Sequence, residues 1–256
     1  MQSEIISLCQ ERNVTLTCLR QETGEGCGHL EKRPAVLIVP GGGYTHCSRR
    51  ESEPVAFCFL KAGYQAFILN YTCLDQGGWP LPLQDYEEAM KLILSHAEQW
   101  KIDPGKIAAV GFSAGGHLAC AGALFTSYPP KALILGYSLL TKEIERYAPG
   151  FPSLIEHVNG QTPPCFLFAT ANDASVSVKN TLQFAEKLAE HAVMFECHVY
   201  PYGRHGFSTG EDSVQKDPDP LYPSVVNWVQ DSLVFCRTVF EPERKRPAFN
   251  QDGNKR

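Results

Sequence analysis

The sequence predicts an α/β fold in which a mostly parallel central sheet carries helices on both faces. Three observations predict it. Apolar runs of strand length recur at 35–39, 107–110, 131–137 and 164–170, the pattern of strands buried on both faces. Between them lie stretches with apolar residues at helical spacing, such as 53–62 with Val55, Phe57, Cys58 and Leu60. The third is an abrupt change of pattern: Ile107-Ala108-Ala109-Val110 gives way through Gly111-Phe112-Ser113-Ala114-Gly115 to a small-residue helical stretch from Gly116 to Leu124.

In chain order, Val14-Thr15-Leu16-Thr17-Cys18-Leu19 alternates as a half-buried strand within the first segment, roughly 5–21, and a polar loop covers 22–32. The strand at 35–39 ends in Pro40-Gly41-Gly42-Gly43-Tyr44. The helix at 53–62 leads through Gly63 to a strand at 65–71, so the β-α-β alternation begins there. Residues 73–83, with Gly77-Gly78-Trp79-Pro80, read as a loop, and 85–100 as an amphipathic helix. Asp103-Pro104-Gly105 is a turn feeding the strand before Ser113. After the strand at 131–137, residues 141–161 read as a small cap or insertion over the sheet edge, where selectivity commonly resides. A strand at 164–170, a helix at 178–191, a strand at 195–200 and a closing helix at 223–240 complete a single domain over 1–240. Residues 241–256 are a polar tail.

A length of 256 residues with 43% hydrophobic and 20% charged residues suffices for one buried core. The net charge of −5 gives no basic footprint, so nucleic acid is not an expected partner. Met1-Gln2-Ser3-Glu4 does not open a secretory signal, and no apolar run has the length of a membrane span; the expectation is a cytoplasmic protein without a membrane partner. Of ten cysteines, Cys58, Cys120, Cys165 and Cys236 fall in apolar stretches as small hydrophobes, while Cys9, Cys18, Cys27 and Cys47 have more polar contexts. There is no Cys-x-x-Cys pair and no Cys/His spacing for zinc, so reduced structural thiols and no metal are expected.

A serine with glycines two positions away on each side, between strand and helix, is the signature of a nucleophile elbow. Ser113 is the candidate nucleophile, and the Ala114 amide at the helix N-terminus is a candidate oxyanion donor. Glycines after a buried strand let backbone amides approach an anion, so Gly42 and Gly43 are further donor candidates, with Tyr44 a pocket wall or third donor. Neither Gly-x-Gly-x-x-Gly nor a Gly-Lys-Ser/Thr ending follows, which argues against a nucleotide. Asp173, after the strand at 164–170, is the candidate acid, and Asn172 competes with it for a capping role. His205, in a glycine-flanked loop after the last strand, completes the order Ser, Asp, His. Trp79 is a candidate wall of the acyl or alcohol pocket, with an aromatic packed on the surface of the fold as the equal alternative.

With these residues placed, the chain resembles α/β-hydrolase fold serine esterases of the acetyl esterase and acetyl-xylan-type carboxylesterase group, related to the prolyl-oligopeptidase and dienelactone-hydrolase branches. The resemblance rests on Pro40-Gly41-Gly42-Gly43-Tyr44, residues 48–54, Asn70-Tyr71, residues 79–85, 111–118 and 170–178, and His205-Gly206. It implies a cofactor-free serine esterase cleaving short acyl groups, often acetyl, from sugars or small alcohols. Such hydrolases commonly carry Val-Pro after the acid, whereas Ser177 follows Val176 here. The segment 48–54 is read as structuring the oxyanion loop through Arg50, Glu51 and Glu53, with no chemistry assigned to it. The expected partner is a small-molecule ester substrate, and homo-oligomerisation is left open. Two alternatives stand beside this reading: an amide-cleaving hydrolase with the same three residues, and a non-catalytic binding protein on a hydrolase fold.

Overall fold

Eight strands form one sheet in the computed structural model, which describes residues 1–24, 26, 30–215 and 220–242. They are β1 (Gln2–Cys9), β2 (Val14–Arg20), β3 (Arg33–Val39), β4 (Gln65–Asn70), β5 (Ile102–Phe112), β6 (Ala132–Gly136), β7 (Cys165–Thr170) and β8 (Phe195–Tyr200). Their order across the sheet is β1-β2-β4-β3-β5-β6-β7-β8. Strand β2 pairs antiparallel with both β1 and β4, and from β4 to β8 every pair is parallel. Because β4 turns back to one side of β3 and β5 lies on the other, the order of strands reverses at β3. A crevice therefore opens at the carboxyl ends of β3 and β5, where ligands bind in open α/β sheets.

Helices α2 (Leu81–Ser95), α3 (Ser113–Phe125) and α4 (Lys179–Glu190) pack on one face, and α1 (Glu53–Lys61) and α5 (Trp228–Phe240) on the other. The alternation inside β3 distributes its residues between them: Leu37 and Val39 face the first group, Val36 and Ile38 the second. With both faces covered, the central strands need apolar residues at every position. Their near-continuous apolar runs are the result.

Several boundaries differ from the sequence expectation, among them the end of α2, at Ser95 rather than residue 100. The first segment holds two strands, because β1 is an edge strand whose Gln2, Ser3 and Glu4 are exposed, leaving no apolar alternation to read. Helix α2 starts at Leu81, inside the expected loop, since Pro82 sits in the first turn, where its missing N–H costs no hydrogen bond. Strand β5 extends back through the expected turn at Asp103-Pro104-Gly105. The closing helix begins as a 3-10 turn, Pro223–Asn227, before α5. The segment expected as an insertion, 141–161, joins β6 to β7 through two 3-10 turns, Lys142–Arg146 and Ile155–His157. Of the expected tail, all beyond residue 242 lies outside the described residues. Among the described residues no helix is long and apolar enough to cross a membrane.

Trp228 joins the second core to the loop that follows β8. Its indole stacks on Phe168 with ring centroids 4.4 Å apart, and its N–H donates to the Ser208 carbonyl at 2.9 Å. Trp228→Ala is expected to lower the unfolding free energy in urea by about 3–5 kcal/mol. Trp228→Phe, which keeps a ring but loses the donor, should cost about 1 kcal/mol beyond its packing change.

Candidate active site

Ser113 stands at the junction of β5 and α3 with φ of +52°, a left-handed conformation that a residue with a side chain adopts only under constraint. Two glycines make the turn passable. A Cβ at Gly115 would lie 2.1 Å from the Val39 carbonyl oxygen, and one at Gly111 would lie 2.5 Å from that of Gly115. The pairing of Val39 with Gly111 across β3 and β5 then brings the loop after β3 against the serine. A Cβ built on Gly41 would stand 3.0 Å from that of Ser113.

The structure brings Ser113, His205 and Asp173 into one hydrogen-bonded line. His205 Nε2 lies 2.9 Å from Ser113 Oγ, and His205 Nδ1 lies 2.7 Å from Asp173 Oδ2. A carboxylate only accepts, so Nδ1 carries the proton and Nε2 is left to accept from the serine hydroxyl. The Asp173 side chain is 1% exposed, and its other oxygen accepts the amides of Ser175 at 2.8 Å and Val176 at 3.0 Å. The carboxylate is thereby fixed from both sides. Asn172 takes a different part: its Oδ1 accepts the Gly203 amide at 2.9 Å and ties the loop after β7 to the loop that carries His205.

On the opposite side of Ser113, the Gly41 amide is occupied by Glu51, but the amides of Gly42, Gly43 and Ala114 have no acceptor among the described residues. Gly42 has φ of +128°, and a Cβ there would meet the His46 carbonyl oxygen at 1.9 Å, so the loop conformation requires glycine. Beside His205 opens a recess of about 520 Å³ whose lining includes Asn172, Ser175, Tyr202 and Arg204.

Of the two aromatic pocket candidates, Tyr44 needs correction. Tyr44 is fully buried and lies beneath the glycine loop: its ring packs on Phe151 at 4.5 Å, and its hydroxyl meets His117 Nδ1 at 2.8 Å. Trp79 is half-buried and packs its ring against Phe151, His117 and Phe125, the packing alternative expected for it. Glu51, expected to structure the oxyanion loop, does hold the Gly41 amide, and the sequence reading missed two groups around the site, Tyr137 and Tyr147. Tyr137 presents its ring to His205 with centroids 5.0 Å apart. Tyr147 lies 3.8 Å from a Cβ built on Gly43 and donates its hydroxyl to the Ser175 carbonyl at 2.5 Å. No motif marks either tyrosine, although Tyr147 falls in the segment expected to set selectivity. Among the described residues no cluster of three or more His, Cys, Asp or Glu is arranged to hold a metal ion.

With 38% identity, a solved α/β-hydrolase enzyme, MGS-M1 from a Medee basin deep-sea metagenome library, superimposes at a TM-score of 0.89 over 94% of this chain and 98% of its own. The chain belongs to the α/β-hydrolase family. Within that family, residues 28–129 match BD-FAE and residues 143–232 match the prolyl oligopeptidase family. A solved acetyl ester-xyloside bifunctional hydrolase from Caldicellulosiruptor lactoaceticus is 30% identical, with a TM-score of 0.78 over 89% of this hydrolase and 88% of its own chain. An acetylxylan esterase from Xylanibacter ruminicola is 27% identical over 249 residues, which are 88% of this chain and 50% of that protein. This hydrolase spans half or less of the length of the curated relatives it matches.

His117 gives the hydrolase a pH-dependent support under the site. The Pro152 carbonyl, 2.8 Å from Nε2, can only accept, so Nε2 carries the proton and Nδ1 accepts from Tyr44. Burial pushes the imidazole pKa down from 6.5 to about 4, against the opposing pull of that carbonyl. The unfolded chain therefore takes up this proton near pH 6.5 while the folded protein resists it until about pH 4. The neutral ring's contribution is complete above that window and is lost as pH falls through it. Compared with His117→Gln, wild-type stability in urea is expected to lose on the order of 3 kcal/mol more between pH 7 and pH 4.

Proposed function

We propose that this hydrolase is a serine carboxylesterase that removes short acyl groups, acetyl first among them, from sugars or small alcohols. The observation that carries the reading is the line from Ser113 Oγ through His205 to a doubly held Asp173 carboxylate, at 2.9 Å and 2.7 Å, beside amides without acceptors. In the proposed reaction His205 Nε2 takes the Ser113 proton as Oγ attacks the ester carbonyl carbon. Asp173 holds the Nδ1 proton and stabilises the imidazolium that forms. The oxyanion is received by the Ala114 amide and by that of Gly42 or Gly43, each such donor being worth roughly 3 kcal/mol in the barrier. The alcohol departs with the proton on Nε2, and water then attacks the acyl-enzyme with the same base.

The relatives named as an acetylxylan esterase and as an acetyl ester-xyloside bifunctional hydrolase support the sugar-ester form of the substrate. The recess beside His205, with Asn172, Ser175 and Tyr202 in its wall, offers amide and hydroxyl groups to a hydroxylated substrate. The match of residues 143–232 to the prolyl oligopeptidase family favours a second reading, amide cleavage by the same three groups. Rates on an acetyl ester and its matched acetamide separate the two, a large excess for the ester being the expected result.

Ser113→Ala is expected to lower kcat on p-nitrophenyl acetate by about 10⁴-fold or more with the unfolding midpoint retained. It should also abolish labelling by a fluorophosphonate probe. Undiminished turnover in that variant excludes the mechanism. Asp173→Asn should cost on the order of 10⁴-fold in kcat through the wrong imidazole tautomer.

A further inference from the structure

We propose that Glu51 is a positioning residue of the acyl-transfer site, one carboxylate that holds the glycine loop and the histidine loop in register with each other. The inference rests on the esterase reading above and deepens it.

Glu51 ends a 3-10 turn, Arg49–Glu51, between the glycine loop and α1, and its side chain is buried. A carboxylate loses much of its hydration in such a place, so its retention calls for partners that only a carboxylate serves at once. Each of its oxygens has one. Oε2 accepts the Gly41 amide at 2.8 Å, and Oε1 accepts the Tyr137 hydroxyl at 2.7 Å. Tyr137 in turn accepts the Ser208 amide at 3.0 Å. Three donors thus run in sequence onto one anion: Ser208 N–H to Tyr137, Tyr137 O–H to Glu51, and Gly41 N–H to Glu51 from the other side.

The two ends of this chain are the two halves of the site. Gly41 immediately precedes the acceptor-free amides of Gly42 and Gly43 and sits against Ser113, and fixing its peptide plane sets where those amides point. Ser208 is three residues after His205, and the Tyr137 ring packs edge-on to the imidazole at 5.0 Å. Ser208 is further held by its hydroxyl on the Arg50 carbonyl and by the Trp228 N–H on its own carbonyl. The turn carrying Glu51 and the loop carrying His205 are therefore stitched together at adjacent residues. Burial and the adjoining Glu51 charge push the Tyr137 phenol well above its ordinary pKa, which keeps it a donor to the carboxylate.

A glutamine at position 51 has one acceptor oxygen, and its amide nitrogen would face a donor. Tyr137→Phe keeps the ring against His205 and removes only the hydroxyl between Glu51 and Ser208. Because both changes break one connection, their effects on turnover should overlap.

The test is a double-variant cycle on p-nitrophenyl acetate with wild type, Glu51→Gln, Tyr137→Phe and both together, with Ser113→Ala as reference and urea unfolding on each. The expected result is a fall in kcat on the order of ten- to a hundredfold in each single variant, KM within about twofold, and a double variant little worse than the worse single one. Wild-type kcat in folded Glu51→Gln, or losses that multiply in the double variant, would overturn the proposal. Should Glu51→Gln not fold, Tyr137→Phe alone decides: unchanged kcat rejects the link, and a kcat loss at constant KM supports it. Failure of the esterase reading is a separate outcome, recognised by Ser113→Ala retaining the turnover of wild type.

Discussion

The site depends on backbone packed against backbone where α3 leaves β5. The carbonyl oxygens of Val39 and Pro40 stand where a Gly115 side chain would begin, at 2.1 Å and 2.2 Å from the ideal Cβ. No side chain fits there, and without that approach the strand could not turn sharply enough to hold Ser113 at positive φ. Such a conformation costs on the order of 1–3 kcal/mol and persists only where its surroundings over-determine it. Here they do: α3 is buried from Ser113 to Ala123, held between the sheet and α2. The same close approach brings the loop after β3 to the serine, so nucleophile and amide donors are products of one packing contact.

The loops that supply the other groups are held differently. The turns after β7 and β8 have few apolar residues, and polar ties fix them. Asn180 Oδ1 accepts the amides of Leu140 and Thr141 and the Thr141 hydroxyl, each at 2.9 Å, which anchors the start of the 141–161 segment to α4. Glu143 accepts the Asn180 side-chain amide at 2.6 Å and the Ser177 amide, closing the other side of that junction. Thr170 donates its hydroxyl to the Gly203 carbonyl at 2.7 Å, and Asn172 accepts the amide of the same residue. A buried network satisfied at this level holds its members rigidly, and that suits a constellation whose geometry must exist before substrate arrives.

How much of this was legible in the sequence follows from the range of the interactions concerned. The central strands and the elbow were readable because their causes are local: continuous apolar runs, and small residues at fixed offsets from Ser113. Ser113, Asp173 and His205 could be placed together in advance because each follows the end of a strand, β5, β7 or β8, and the parallel sheet brings those ends to one edge. Strand β1 was not, since an exposed edge strand has no apolar face to reveal it, and α2 was begun too late because Gly77 to Pro82 carries turn chemistry up to the first helical residue. Tyr44 was given to the pocket because an aromatic beside a glycine loop has no sequence mark of which way it turns. Glu51 and Tyr137 are 86 positions apart, and a hydrogen bond over that separation leaves no periodicity to find.

Selectivity is distributed along the sheet in a way that follows from the direction of proton transfer. In the proposed reaction the leaving alcohol takes its proton from His205 Nε2, so it must occupy the side of Ser113 that faces the loops after β7 and β8. The recess with Asn172, Ser175 and Tyr202 adjoins those loops. The carbonyl oxygen has to point the other way, toward Gly42, Gly43 and Ala114, where the backbone alone makes the contacts. That second requirement is common to every acyl substrate and is met at the buried carboxyl ends of β3 and β5. The first differs from one alcohol to another and is met by surface loops. Tyr147 touches both regions, reaching from Gly43 to the Ser175 carbonyl, so the segment that joins β6 to β7 limits the space left to substrate between them.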